Sequence, residues 1–118
     1  GASIQRNDGL DPLFCASIVD RLQSYYRAGA DPLDPRLSPL FGDLAGLPPA
    51  LLMVGSSELL LDDSVRFAAR VPDSELRIWH DMPHVFLAMR GLAQGDAAIR
   101  EIGEFIWERT AAATAGAS

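Results

Sequence analysis

Hydrophobic side chains recur at helical spacing near both ends of the chain. Apolar residues of segment 12–27 follow the i, i+3, i+4, i+7 pattern, which predicts a helix capped by Asp11 at its start and ended by Gly29. Residues 96–109 repeat this spacing and predict a second helix. The prolines within residues 31–39 exclude regular helix or interior strand there, so this segment is predicted to cross the surface.

The middle of the chain is predicted to contain two strands. Residues 50–54 form an unbroken apolar run between prolines and a glycine, which is typical of a strand buried on both faces. Residues 61–71 predict a helix, and residues 76–79 a second strand. This order predicts an α/β fold with parallel strands joined by a right-handed crossover. Two strands cannot form a self-sufficient parallel sheet, so the chain is predicted to be incomplete as a domain.

Composition narrows the classes of partner. The 118 residues carry 16 acidic and 10 basic side chains, a net charge of -6, and no cluster of Lys or Arg, which excludes nucleic acid as the expected partner. No apolar run is long enough for a membrane span. The single Cys15 cannot form an internal disulfide and favours a reducing compartment, so we predict a cytoplasmic location.

The two ends lack a hydrophobic pattern. Residues 1–11 are predicted to be an N-terminal leader of the kind that an expression tag leaves behind. Residues 110–118 are small and uncharged, which predicts a flexible tail. The predicted folded segment is therefore 12–109.

Candidate chemistry follows each predicted strand. Glu58 comes after the first strand, and His80 and His84 come after the second. Functional groups of parallel sheets collect at the carboxyl ends of strands, so an acid and an imidazole could pair there and make the imidazole a general base. The two histidines could also bind a metal if residues 80–84 were helical, but Pro83 argues against a helix. His80 is interpreted as an ordinary loop residue.

Several segments together resemble a known family. They are LPPALLMVG at 47–55, ELLLDD at 58–63, MPHVF at 82–86 and, upstream, DPRLSPL at 34–40. They resemble the C-terminal third of the hormone-sensitive-lipase-like branch of the α/β-hydrolases, a group of bacterial esterases and lipases. The resemblance runs from about residue 8 to 109. It implies the C-terminal part of an α/β-hydrolase fold: late parallel strands with flanking helices, plus part of the cap-linked region.

The resemblance implies roles in a catalytic triad. His84 would be the base, followed here by Val85 where the family usually has glycine. Glu58 takes the place of the triad acid, with Asp62 as the second choice. Both acids also suit the start of a helix, where carboxylates are favoured. Trp79 and Phe86 flank the histidine loop and are the candidates for an acyl pocket, although aromatic side chains at strand ends often only pack.

The family's nucleophile motif, Gly-x-Ser-x-Gly, and its His-Gly-Gly-Gly oxyanion motif do not occur in the sequence. Ser56 and Ser57 follow Gly55 without a second glycine, so neither is assigned as nucleophile. The resemblance therefore predicts a fragment of a serine carboxylesterase or lipase for short- to medium-chain acyl esters, with no cofactor or metal and no activity by itself. Its expected partners are a small ester in the intact protein and either the missing N-terminal part or a second copy.

An alternative is left open by the sequence. A truncated hydrolase-like chain could act as a catalytically inactive binding or assembly module, since an open sheet edge and an uncovered sheet face favour association.

Overall fold

The computed structural model describes residues 1–115, and side chains through residue 111. The chain forms two compact units, which divide between His84 and Val85. The first unit contains α1 (Ser3–Arg6), α2 (Ala16–Arg27), a 3-10 helix (Pro39–Phe41), β1 (Ala50–Gly55), α3 (Leu61–Ala68) and β2 (Ser74–Trp79). The second contains a 3-10 helix (Phe86–Ala88) and α4 (Ala93–Ala115).

Strands β1 and β2 pair in parallel, from Ala50 opposite Ser74 to Gly55 opposite Trp79. The predicted α/β class and the parallel pairing are confirmed. Because the strands run in the same direction and end in register, the loops that follow Gly55 and Trp79 leave the sheet at the same edge. This edge brings the predicted acid and histidine loops together.

Helix α3 connects the strands and packs against both of them. The core here includes Val54, Leu59 and Val71, which are almost fully buried. The prediction that β1 is buried along its whole length is only partly right, because residues 50–53 are half-buried. Burial is therefore concentrated at the carboxyl end of β1, next to the candidate site.

Helix α2 begins later than predicted. Asp11 does not cap it, because residue Cys15 just before Ala16 is extended, with φ -127° and ψ 159°. The carboxylate of Asp11 instead accepts the backbone N–H of Leu13 at 2.9 Å, which forms an Asx turn. The predicted end is right: Gly29, with φ 87°, lies just after the last turn.

The predicted leader is part of the first unit. Residues Ser3–Arg6 form α1, and the side chains of Ser3 and Asn7 are buried. The expectation that residues 1–11 lie outside the fold is corrected by this packing. The physical reason is hydrogen bonding: polar side chains of this segment bind the backbone that follows β1.

Helix α4 is longer than predicted. It begins three residues before Asp96 and continues past Arg109 to Ala115. Alanine has the highest helix propensity, so the alanine-rich sequence after Arg109 extends the helix instead of starting a tail. The rest of the predicted flexible tail, residues 116–118, lies outside the described residues. Within the second unit α4 packs against the 3-10 helix, and Phe86 and Ala98 are fully buried.

Across the described chain, no helix has the length and apolar character that crossing a membrane would require.

Candidate active site

Glu58 lies in a tight turn at the end of β1. Its backbone N–H donates to the carbonyl oxygen of Gly55 at 3.2 Å, and its side chain folds back so that Oε1 accepts the N–H of Gly55 at 2.7 Å. The residue is only 5% exposed. One carboxylate oxygen is therefore fixed to the strand end, and the other is left to contact a second group.

Hydrogen bonds connect the loop after β2 to the loop after β1. The N–H of Ser57 donates to the carbonyl oxygen of Met82 at 3.2 Å, and the N–H of Asp81 donates to Oγ of Ser56 at 2.9 Å. Gly55 allows this approach, because a Cβ at that position would overlap the carbonyl oxygen of Met82. The two loops thus form one layer over the end of the sheet.

His84 is held against Glu58. Its Nδ1 lies 2.8 Å from Oε2 of Glu58, and the ring of Phe14 packs edge-on with a centroid distance of 4.8 Å. An ionised carboxylate only accepts hydrogen bonds, so Nδ1 carries the hydrogen in this pair. That tautomer places the lone pair on Nε2, at the opposite side of the ring. The side chain of His84 is 28% exposed, so the imidazole is partly accessible.

The segment before α2 supports the acid loop. Nδ2 of Asn7 donates to the carbonyl oxygens of Ser56 and Glu58, at 2.9 Å and 2.7 Å. Oγ of Ser3 donates to the carbonyl oxygen of Leu59 at 2.7 Å. Neither residue was predicted from the sequence, because a lone Ser or Asn in a segment without a hydrophobic pattern does not indicate a distant partner.

The same segment supports the histidine loop. Oδ2 of Asp11 accepts the backbone N–H of His84 at 2.9 Å, while Oδ1 accepts the N–H of Leu13. Asp11 is 5% exposed. The sequence predicted Asp11 only as a helix cap. Its hydrogen bond with the N–H of His84 was not predicted.

A small cavity of about 150 Å³ borders His84. Its walls are mostly apolar and come from α2, the segment before it and the residues after Glu58: Phe14, Val19, Leu22, Leu59 and Leu60. The two aromatic residues predicted to line a pocket are not among them. Phe86 is fully buried in the second unit, and Trp79 is the last residue of β2.

A profile of the α/β-hydrolase fold family matches residues 2–88. The chain belongs to this family. The match includes residues of the expected leader as well as both loops of the site. The predicted resemblance to hormone-sensitive-lipase-like esterases is confirmed by similar proteins and structures.

Three relatives illustrate how this chain compares with known proteins. An esterase of Acinetobacter venetianus is 42% identical over 74 residues, which are 63% of this chain and 24% of the esterase. An acetyl-hydrolase of Streptomyces hygroscopicus is 37% identical over 111 residues, 90% of this chain and 37% of that protein. The crystal structure of an esterase from the bacterial hormone-sensitive lipase family superimposes with a TM-score of 0.86 and 39% identity, covering 92% of this chain and 38% of the other. The chain thus spans roughly a quarter to two fifths of these relatives' lengths.

Asp62, the second choice for the acid, has other partners in this structure. Its carboxylate accepts the N–H of Ser3 at 2.8 Å and pairs with Arg6 at 3.2 Å. The hydrogen bond from Ser3, followed by the interaction with Arg6, lowers the pKa of Asp62 from its usual value. The structure therefore brings Glu58, and not Asp62, to His84.

His80 lies on the surface of the first unit. Its side chain is 90% exposed, and Nδ1 lies 3.0 Å from the carboxylate of the neighbouring Asp81. Among the residues that the structure describes, no group of three or more His, Cys, Asp or Glu side chains is placed to hold a metal ion.

Proposed function

We propose that this chain carries the acid and the base of a serine-hydrolase triad, with Glu58 as the acid and His84 as the base. The observation that carries the proposal is the 2.8 Å contact between Oε2 of Glu58 and Nδ1 of His84. An acid that is buried and anchored at its other oxygen can orient an imidazole without itself moving. The pair lies at the carboxyl end of parallel strands, where α/β enzymes bind substrates.

The proposed reaction is hydrolysis of a carboxylic ester through an acyl-enzyme. Nε2 of His84 takes the proton of a serine hydroxyl as that oxygen attacks the ester carbonyl, and the imidazolium then protonates the leaving alcohol. In the second half, Nε2 takes a proton from the water that attacks the acyl carbonyl. The imidazolium then returns a proton to the serine oxygen as the acyl–oxygen bond breaks and the acid is released. Glu58 keeps Nδ1 protonated and stabilises the transient imidazolium in both halves. Every proton passes between protein groups, substrate and water, so the proposed mechanism needs no cofactor.

The nucleophilic serine and the oxyanion donors are proposed to come from polypeptide outside these 118 residues. Two observations support this. The sequence contains no Gly-x-Ser-x-Gly motif, and the chain spans only 37% of the acetyl-hydrolase that it matches over 111 residues. The chain would then be a fragment that contributes two of three triad residues.

The proposed substrates are esters with a short- to medium-length acyl chain. The cavity beside His84 is apolar and holds about 150 Å³, a volume comparable to cavities of about 150 Å³ that bind benzene. A group of that size fits an acyl chain or a small alcohol better than a long lipid tail. The names of two relatives, an esterase and an acetyl-hydrolase, agree with this class.

The proposal is tested with two proteins: the complete polypeptide that carries these residues, and the 118-residue chain alone. We expect the complete polypeptide to hydrolyse p-nitrophenyl acetate and butyrate, and His84→Ala to lower kcat by about 10⁴-fold or more. His80→Ala is the matched control, since this exposed histidine should leave kcat unchanged. Full activity in His84→Ala would reject His84 as the base. Turnover by the chain alone that depends on His84 would reject the external serine.

A second candidate function is assembly. Helix α2 exposes the large apolar or aromatic side chains of Ile18, Leu22, Tyr25 and Tyr26, and exposed apolar patches mark interaction sites. The proposed partner is the rest of the same hydrolase or a second copy of the chain, in a reducing compartment such as the cytoplasm that suits its lone Cys15. Sedimentation of the 118-residue chain tests this: concentration-dependent association is expected, and a monomer at all concentrations would reject it.

A further inference from the structure

We infer that Asp11 is a positioning residue for His84, one that holds the histidine main chain while Glu58 holds the ring. This inference rests on the proposed function of His84. It concerns a residue 73 positions away in sequence, in a segment that carries none of the proposed catalytic groups.

The two carboxylate oxygens of Asp11 accept hydrogen bonds from different backbone groups. Oδ1 of Asp11 closes the local turn by accepting the N–H of Leu13 at 2.9 Å. Oδ2 reaches across to the N–H of His84, also at 2.9 Å. The turn needs only one oxygen, so a local role does not account for the second contact.

The burial of Asp11 supports its role as a positioning residue. Asp11 is 5% exposed, and a buried carboxylate is costly unless hydrogen bonds compensate for the lost water. Hydrogen bonds from backbone N–H groups to a charged acceptor are stronger than those between neutral groups. The bond to His84 is therefore expected to fix the histidine backbone tightly.

The local sequence pre-orients this contact. The residue before a proline is restricted to extended conformations, so Pro12 limits the backbone of Asp11. Two residues later, Phe14 packs edge-on against the imidazole at 4.8 Å. The segment of residues 11–14 thus contacts both the backbone and the ring of His84.

Position matters because proton transfer by Nε2 depends on its distance to the serine oxygen. A misplacement of about 1 Å at a catalytic group costs on the order of 100-fold in rate. Loss of the Asp11 contact should therefore lower kcat. Asp11 also borders the cavity beside His84, so KM is compared in Asp11→Asn, whose side chain keeps nearly the same volume.

The test uses the complete polypeptide with Asp11→Ala. Asp8→Ala is the matched control, since Oδ1 of Asp8 accepts the N–H of Ala16 at the start of α2 and has a similar local role. We expect Asp11→Ala to lower kcat by about 10- to 100-fold per active site titrated with a phosphonate, and Asp11→Asn to leave KM within about twofold of wild type. Asp8→Ala should leave kcat and KM unchanged. An unchanged kcat per titrated site, or an equal loss in Asp8→Ala, would overturn the inference, because either result assigns Asp11 a merely structural role.

Hydrogen exchange measured by NMR supplies a readout that does not depend on activity. Asp11→Asn is nearly isosteric and should fold, and it keeps a single acceptor oxygen for two N–H groups. In Asp11→Asn, protection of the His84 amide and kcat must either both fall or both keep their wild-type values. A change in one without the other overturns the inference. If the wild-type polypeptide shows no ester hydrolysis dependent on His84, the proposed function fails. In that case protection of the His84 amide that survives in Asp11→Ala would still reject the contact, and its loss would support it.

Discussion

Oε2 of Glu58 lies 2.8 Å from Nδ1 of His84, although 26 positions separate the two residues in sequence. The contact joins the loops that follow two parallel strands. It exists because the other oxygen of Glu58 is fixed by the N–H of Gly55. The end of β1 therefore fixes the position of the Glu58 side chain that contacts His84.

Replacement of the acid tests this pair. We expect Glu58→Gln in the complete polypeptide to lower kcat by about 10²- to 10⁴-fold, because an amide can stabilise the wrong imidazole tautomer and cannot neutralise the imidazolium. Steady-state kinetics with p-nitrophenyl butyrate measures the effect. Asp62→Asn is the control, since Asp62 contacts Ser3 and Arg6 instead of His84. A larger loss in Asp62→Asn than in Glu58→Gln would mean that the acid is assigned wrongly.

Gly55→Ala should separate the two loops. A Cβ at Gly55 would overlap the backbone carbonyl oxygen of Met82, and neither atom can move away without a shift of the main chain. We expect the free energy of unfolding to fall by about 1 to 3 kcal/mol or more, as in other overpacked sites. Urea denaturation measures it. Gly46→Ala is the matched control, because a Cβ there meets nothing within 4 Å; equal losses in both variants would contradict the close approach.

The cavity beside His84 should limit the size of the substrate. Leu22 lines it from α2, and Leu22→Phe would reduce its volume of about 150 Å³. We expect kcat/KM for p-nitrophenyl hexanoate to fall by about tenfold relative to the acetate, since one or two methylenes excluded from an apolar pocket change binding by about 1 to 3 kcal/mol. Tyr25→Phe, on the same helix but not at the cavity, should keep the wild-type ratio. A parallel loss for both esters in Leu22→Phe would argue against this cavity as a substrate pocket.

Asp62 should make stability depend on pH in the acidic range. Its pKa is lowered in the folded state, first by the hydrogen bond from Ser3 and then by Arg6. A carboxylate with a lowered folded pKa stabilises the fold above its unfolded pKa of about 3.9, and this contribution is lost as pH falls through the folded pKa. We expect Asp62→Asn to be less stable than wild type at pH 7 and to converge with it as the pH is lowered below 4.

Urea denaturation across this pH range measures that difference. Asp63→Asn is the comparison variant, since Asp63 pairs on the surface with Arg66, and exposed ion pairs contribute little to stability. A constant difference between wild type and Asp62→Asn at all pH values would show that the lowered pKa does not contribute.

Strand order and family resemblance were sufficient to predict the pairing partners. A buried apolar run, a helix and a second strand imply parallel strands, and parallel strands place their following loops at one edge. Glu58 and His84 are the acid and imidazole of those loops. The choice between Glu58 and Asp62 needed the structure, because both acids lie near the start of α3 and only their side-chain directions separate them.

The supporting residues could not be predicted from one sequence. Asn7 and Asp11 bind backbone groups that lie between 49 and 73 positions away. Such contacts leave no periodic signal, whereas a helix or strand does. Asp11 before Pro12 also matches the pattern of a helix start, so the sequence predicted a helix cap and not the hydrogen bond with His84.

Val85 shows a different limit of prediction from the sequence. The sequence marked it as a departure from the glycine usual in the family, and the structure gives it φ 51°. This left-handed conformation costs a residue with a Cβ about 1 to 2 kcal/mol. The preference for glycine at this position is therefore explained by the backbone, although the sequence alone gave no reason for it.

The packing of residues 3–11 also bears on how the polypeptide could be divided into two pieces for use as a split reporter. A break between Asp11 and Pro12 would put Ser3, Asn7 and Asp11 on one piece, and Glu58 and His84 on the other. The hydrogen bonds that order Glu58 and His84 would then join the two pieces, so activity under the proposed mechanism would require both to reassemble. A break placed before Ser3 would keep Glu58, His84 and their supports on a single piece, and reassembly would have to supply the proposed serine and oxyanion donors.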